Sequence, residues 1–496
     1  MGVSEREPTG GVRYEEVGPA YFERRRLRRH ARVGSLWALG VAAVISGDFF
    51  GWNFGLAAGG FGGLLIATGA ITVLYLCLCV SIAEMASLLP HAGGAYSFAR
   101  SALGPWGGYV TGLAENMEYI LTPAVIVVGI GGYLGAIFGT PDSAEPWWWL
   151  AAYVAFVGLN IAGVEQSFRF IVAIALVALA ILATFWLVAL PQVDVARFAL
   201  DVPPAPGGTE WLPFGWRGVA AALPFAIWFY LGIEELPLAA EEAHAPERDL
   251  PRGLLLGLAT LVVCAFATLV ISASVPPGAA ALASSDEPLL RGFEEVLGRG
   301  AGARALALVA VAGLVASFHA ILFAYGRQIY SLARAGYFPR WLSLTHGRRQ
   351  TPHAALVAGA VLGYAVALAI HRLGPAHPVG AVLLNMAVFG AVLSYALQML
   401  SFVLLRRRFG HLHRPFRSPL GIPGALLALA ISLATFAALL GADPAMRNVV
   451  LGAAVWYALG LLWFALVGRH RLVLSPEERA ALSARHPDAR GEDEDR

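Results

Sequence analysis

The chain contains no lysine, and all 35 of its basic residues are arginine. That absence excludes any chemistry resting on a lysine amine. Cysteine is almost as scarce: Cys77, Cys79 and Cys264 are the only three, and all fall inside apolar runs. A Cys-x-Cys spacing suits neither zinc nor a redox pair, so these thiols read as packing residues. Charged residues make up 14% of the chain, and there is no His-Glu-x-x-His, no cluster of metal ligands and no Ser/His/Asp set at a recognisable spacing. An enzyme is therefore not expected, nor a catalytic residue, a metal or a cofactor, nor a nucleic-acid partner. Residues Met1 to Arg32 carry no apolar stretch followed by a small-residue cleavage site, so no removable signal peptide is expected.

What the chain has in abundance is apolar sequence. Hydrophobic residues make up 58% of 496, and many runs approach the ~20 residues that cross a bilayer core. This predicts an all-α polytopic membrane protein. Twelve spans fit, near 34–57, 63–89, 105–137, 147–163, 169–190, 217–240, 253–275, 303–332, 353–371, 378–405, 420–440 and 447–467. Arginine is dense in "ERRRLRRHAR", in "GYFPRWLSLTHGRRQTP" and in "RRRFGHLHRPFRSP", segments that share one side if there are twelve spans. Basic residues are retained in the cytoplasm, so both termini are expected there, in a plasma (inner) membrane. Arg291, Arg299 and Arg304 lie in an opposite connection, accompanied by Asp286, Glu287, Glu294 and Glu295.

Two spans are interrupted. In "VAAVISGDFFGWNFGLAAGG" the apolar run breaks at Gly47-Asp48 and Gly51-Trp52-Asn53; in "LPFAIWFYLGIEELPLAAEE" it breaks at Gly232-Ile233-Glu234-Glu235 and Pro237. The Pro/Gly-rich "ARFALDVPPAPGGTEW" divides the chain so that each break falls in the first span of a five-helix half. Unwound backbone at membrane depth is tolerated where it lines a cavity, so paired breaks point to a transporter's substrate site.

The motifs "AEMASLLPHAGGAYSFARSALGPWGGYVTG", "AAEEAHAPERDLPRG" and "YGRQIYSLARAGYFPRWLS" resemble the amino acid–polyamine–organocation superfamily. Within it, "ISGDFFGWNFGL", "GGFGGLLIATG" and "MEYILTPAVIVVGIGGYLG" resemble the ethanolamine permeases. The resemblance implies a leucine-transporter-type inverted five-plus-five repeat with discontinuous helices 1 and 6. Its expected parts are a cytoplasmic segment 1–33, a first repeat 34–195, an extracytoplasmic connection 196–216, a second repeat 217–405, helices 11 and 12 within 406–467, and a cytoplasmic tail 468–496.

Amino acid carriers of this fold offer small residues and bare helix-end amides at the helix 1 break, where the substrate carboxylate needs donors. Asp48 reverses that demand, since a carboxylate accepts hydrogen bonds from a primary ammonium. The substrate expected is therefore a small organic amine, ethanolamine or a relative, taken up by alternating access. The rival roles for Asp48 are a neutral side chain, a coupling-ion ligand or a partner for arginine. Glu234 matches the superfamily's helix 6 glutamate, a proton carrier or gate element; Glu235 is its neighbour, and capping of the second half-helix is the plainer role. Glu115 and Glu118 share one helix face, with Glu118 the stronger substrate candidate. Ser46, Gly47, Phe49, Tyr119, Trp228 and Tyr230 complete the expected substrate set, the aromatics offering cation–π contact of ~1 kcal/mol each. Glu84 and His319 are assigned to gating or coupling, with structural pairing as the alternative. Some proton-driven relatives carry a lysine in helix 5 in place of sodium; here "GVEQSFRF" aligns Ala178 near it. Proton symport or exchange is preferred to sodium coupling, and homo-oligomerisation is left open. The competing functions are an amino acid permease and a cation channel, whose pathway acids would also suit.

Overall fold

The computed structural model describes residues 11–25, 27–89, 93–285, 287–298, 301–372, 379–410, 412–441 and 446–474. Residues 1–10, Arg26, Pro90, His91, Ala92, Asp286, Arg299, the Arg304 side chain and the tail beyond 474, all used in the sequence reading, lie outside that set. Among the described residues, twelve helical spans appear in the expected order. They are α1 (Val33–Phe49), α2 (Phe54–Leu88), α3 (Gly94–Phe138), α4 (Glu145–Ala162), α5 (Val164–Ala189), α6 (Gly215–Ile227), α7 (Pro246–Ala273), α8 (Ala301–Arg334), α9 (His353–His371), α10 (Val379–Arg408), α11 (Gly421–Gly441) and α12 (Met446–Leu466). Isolated bridges join Tyr14 to Leu472 and Ala31 to Ala243, and no strand forms among the described residues.

Among the described residues, eight helices are long and apolar enough to cross a bilayer by length and composition. The first helices of the two halves fall short because each is interrupted: α1 has 17 residues and α6 has 13. After α6 the chain turns at Gly232, φ 110°, and continues as a 3-10 segment, Ile233–Glu242. A positive φ of that size is open to glycine and strained for other residues. Inside that segment Pro237 has no N–H to give an α-helical ladder.

Helices α1, α2, α6 and α7 pack on one another, while α3, α8 and α10 form a second group against which α1 and the 3-10 segment lie. The breaks are enclosed between these groups.

Candidate functional site

The two breaks meet. A Cβ on Gly47 would stand 2.1 Å from the Trp228 carbonyl oxygen, so only glycine lets α1 approach the end of α6 this closely. Further along the same seam, Gly232 faces Ala43 and Gly40 faces Leu236. The α1 break falls at the second of the two places marked in the sequence, Gly51-Trp52-Asn53, and not at Gly47-Asp48. The helix runs to Phe49 because the Phe50 N–H still donates to the Ser46 carbonyl at 3.0 Å; Phe50 is then extended, and Gly51 takes φ 97°. One turn earlier the Ser317 hydroxyl of α8 inserts into the ladder, accepting from the Ser46 N–H at 2.8 Å and donating to the Ala42 carbonyl at 2.6 Å. In the second half the break starts at Trp228, ahead of the expected Gly232, and Glu234 and Glu235 belong to the 3-10 segment.

Four buried glutamates converge beside this seam: Glu115, Glu118, Glu234 and Glu235. Glu115 and Glu118 leave α3 on one face, as their spacing requires, but meet different partners. Glu115 accepts from the Gln328 side chain of α8 at 2.6 Å. Glu118 faces the Glu234 carboxylate and has no hydrogen-bond donor among the described residues. Glu234 is held from two sides: the Tyr395 hydroxyl of α10 donates to it at 2.8 Å, and the Gly232 N–H points at both its oxygens at 3.2 Å. Tyr75 in turn bonds Tyr395 at 2.8 Å, and its ring lies 5.1 Å from that of Tyr230. Glu235 has no donor either; the nearby Arg327 is committed to Glu242 at 2.8 Å, with both of those side chains fully buried. The Tyr119 hydroxyl and the Trp228 indole nitrogen also lack partners among the described residues.

This arrangement asks for positive charge. A buried carboxylate without a partner costs several kcal/mol, and two carboxylates facing each other need a proton or a cation between them. An ammonium brings one charge and several donors, which is what Glu118 and Glu235 lack.

Asp48 stands elsewhere. Trp37, Val41, Val44 and Asp48 lie along one face of α1, and the Trp37 indole donates to Thr260 of α7 at 3.1 Å. Thr260, Cys264 and Thr268 repeat every four residues on the facing side of α7. Asp48 accordingly faces Thr268 and Cys264, with the Tyr230 hydroxyl nearby and bonded to Thr72 of α2 at 2.7 Å. Neither Asp48 oxygen has a hydrogen-bond partner among the described residues, nor has the Thr268 hydroxyl.

The gating candidates are engaged in closed contacts. Glu84 binds Arg406 through both oxygens, at 3.0 and 2.8 Å, and also meets Arg414 at 2.8 Å and the Ser418 N–H at 2.7 Å. His319 is buried with both ring nitrogens occupied, by Asn160 at 3.0 Å and Ser167 at 2.9 Å, and ties α8 to α4 and α5. Phe49 is buried, and its carbonyl accepts from the Tyr133 hydroxyl at 3.2 Å.

Both ends of the site are covered. On one side Trp52 stacks on Phe229 at 5.7 Å, and Asn53 donates to the Leu282 and Ser285 carbonyls. On the other, Arg334 pairs with Glu241, Tyr330 donates to the Arg25 carbonyl at 2.5 Å, and Arg13 donates to the Arg469 carbonyl at 2.7 Å. Tyr75, Tyr395 and Gln328 were not singled out from the sequence. The signal for Tyr395 was a polar set, Ser394, Tyr395 and Gln398, at helical spacing inside an apolar run.

Comparison with known proteins agrees with this architecture. The amino acid permease family matches residues 34–466. The chain is 30% identical over 454 residues to an uncharacterized transporter of Rhizobium meliloti, covering 89% of this chain and 92% of that one. It is 27% identical over 463 residues to the branched-chain amino acid permease of Bacillus subtilis, covering 89% and 94%. It is 24% identical over 477 residues to the methylthioribose transporter of the same organism, covering 93% and 98%. A match that spans the two broken helices and all the spans around them places the chain: it belongs to the amino acid permease family, and is a multi-pass membrane transporter rather than an enzyme.

Proposed function

We propose that this permease carries a small solute with a primary ammonium and no acid group, ethanolamine or a close relative, by alternating access. The observation that carries the reading is the carboxylate pair at the breaks. Glu118 faces Glu234 with no donor of its own among the described residues, and Glu234 already occupies the Gly232 amide. In a carrier for amino acids a break amide of this kind is a place for the substrate carboxylate. Here the chain puts its own carboxylate there, so an incoming acid would meet like charge while an ammonium would relieve it.

In this reading Glu118, Glu234 and Glu235 receive the ammonium, and Tyr119, Trp228, Tyr230 and Phe49 wall the site. Ser46 and Gly47 shape the α1 side, and Tyr395 holds Glu234. Residues 34–195 and 217–405 are the two inverted repeats, and the α1–α2–α6–α7 group, drawn from both, moves against the α3–α8–α10 group. The arginine-rich face, where the described ends of the chain meet, is cytoplasmic, in the plasma membrane. Transport is coupled to protons or runs as exchange.

A second reading has the comparisons behind it. The branched-chain permease of Bacillus subtilis is named for amino acids, and this chain is similar to it over 94% of its length. An amino acid would keep the ammonium contact with the glutamates and place its carboxylate at the α1 end. Uptake by the purified protein in proteoliposomes tests the carrier claim. Saturable ethanolamine uptake with trans-stimulated counterflow is expected; non-saturating flux without counterflow would indicate a channel.

A further inference from the structure

We propose that Asp48 and Thr268 form a proton-binding site inside the α1–α2–α6–α7 group, separate from the amine site, through which transport is coupled to a proton gradient. The inference rests on the carrier reading above but not on the identity of the amine. Three observations carry it. Asp48 is 1% exposed with both oxygens unpartnered among the described residues, and Thr268, also 1% exposed, presents an unpartnered hydroxyl towards it. Asp48 and Trp37 lie on the same face of α1, three turns apart, and Trp37 is pinned to α7, so Asp48 is aimed into the helix group rather than at the glutamates. Finally, it follows Gly47, which touches the Trp228 carbonyl, and precedes the break by two residues, so its charge acts where the two broken helices meet.

The groups that face Asp48 are Thr268 and Cys264 from α7 and Tyr230 from the break after α6, whose hydroxyl is taken by Thr72 of α2. On the α8 side Ser317 is spent on the α1 backbone. No arginine, histidine or second carboxylate acts on it among the described residues. One carboxylate and one hydroxyl beside a thiol make a poor shell for a hard metal cation, which wants a full set of oxygens. A proton needs one oxygen. In the coupled cycle a proton from water on one side forms an O–H bond at an Asp48 carboxylate oxygen. That bond breaks on the other side, returning the proton to water, with no other reactant consumed.

Two measurements on full-length protein test this. The first needs no substrate: the protonated-carboxyl C=O band is followed by infrared spectroscopy across pH in wild type and Asp48→Asn. A titrating band present in wild type and missing from the variant is expected; superimposable titrations would overturn the proposal. Thr268→Val, which leaves the carboxylate in place, should move the midpoint of that band, and serves if Asp48→Asn fails to fold. The second measurement uses proteoliposomes and labelled ethanolamine. Asp48→Asn should lose pH-gradient-driven accumulation by about tenfold or more while counterflow changes by less than about threefold. Accumulation driven by sodium instead, or a tenfold loss of ethanolamine binding with accumulation reduced only in proportion, would also overturn it. Absence of ethanolamine counterflow in wild type would sink the substrate reading and leave the infrared result to decide the proton site.

Discussion

Glu118→Gln isolates the ammonium contact. In the structure the Glu118 carboxylate accepts nothing from the described residues and faces Glu234, so the change breaks no internal hydrogen bond, and the new amide can donate to Glu234. What it removes is charge. A hydrogen bond to an ionised group contributes about 1.5–3 kcal/mol against about 0.5–1.5 for a neutral one, so one or two ammonium contacts weaken by ~1–3 kcal/mol in total. That is about a 5- to 150-fold loss of affinity. Glu115→Gln is the matched control three residues away, because Glu115 already answers to Gln328 at 2.6 Å and should change affinity by less than about threefold. Isothermal calorimetry with ethanolamine on detergent-purified protein reads both, with circular dichroism confirming the helical fold. Equal effects at the two positions, or unchanged affinity in Glu118→Gln, would refute the assignment of the ammonium to Glu118.

Other outcomes follow from the same geometry. If ammonium replaces a proton held between Glu118 and Glu234, binding releases that proton. Affinity then weakens as pH falls, by up to about tenfold per unit, and calorimetric enthalpies vary with buffer; enthalpies that ignore the buffer would contradict this. Arg327→Met leaves Glu242 buried without its cation partner and should cost about 3–5 kcal/mol, seen as a large drop in thermal stability of the purified protein. Gly47→Ala puts a methyl group 2.1 Å from the Trp228 carbonyl, and the forced separation of the breaks should cost about 1–3 kcal/mol and abolish uptake; wild-type transport would contradict the close approach. Cysteines introduced near Arg348 and Arg407 should react with an impermeant label from the cytoplasmic side only, and one near Gly207 only from outside.

The spans were legible because twelve apolar runs are long and their boundaries carry glycine, proline or arginine. Both breaks were legible because glycine beside an acid in an apolar run has few other uses. Their offsets were not: whether Ser46 stays helical depends on one backbone bond from Phe50 and on a hydroxyl from Ser317, more than 250 residues away in sequence. The same distance hid the site's other walls. Tyr395 and Gln328 gain meaning from Glu234 and Glu115, and local pattern cannot supply such pairings. The spacing of Glu115 and Glu118 correctly put both on one face, yet could not tell that one would be satisfied and the other left facing a carboxylate. Asp48 is the sharpest case. Its residue type invites an ammonium, but its direction is fixed by the packing of α1 on α7, which is visible only once Trp37 is seen on Thr260.

The central claim is that the substrate is an amine without a carboxylate. Its most direct test is a binding panel by calorimetry on wild-type protein: ethanolamine, its N-methylated series through choline, small alkylamines, and neutral amino acids from alanine to valine. Ethanolamine is expected to bind tightest, small alkylamines to bind measurably, affinity to fall along the methylated series as ammonium donors are lost, and amino acids to bind at least about tenfold more weakly. Tight binding of a neutral amino acid, with no binding of its decarboxylated amine, would contradict it and establish the carboxylate as a recognised group.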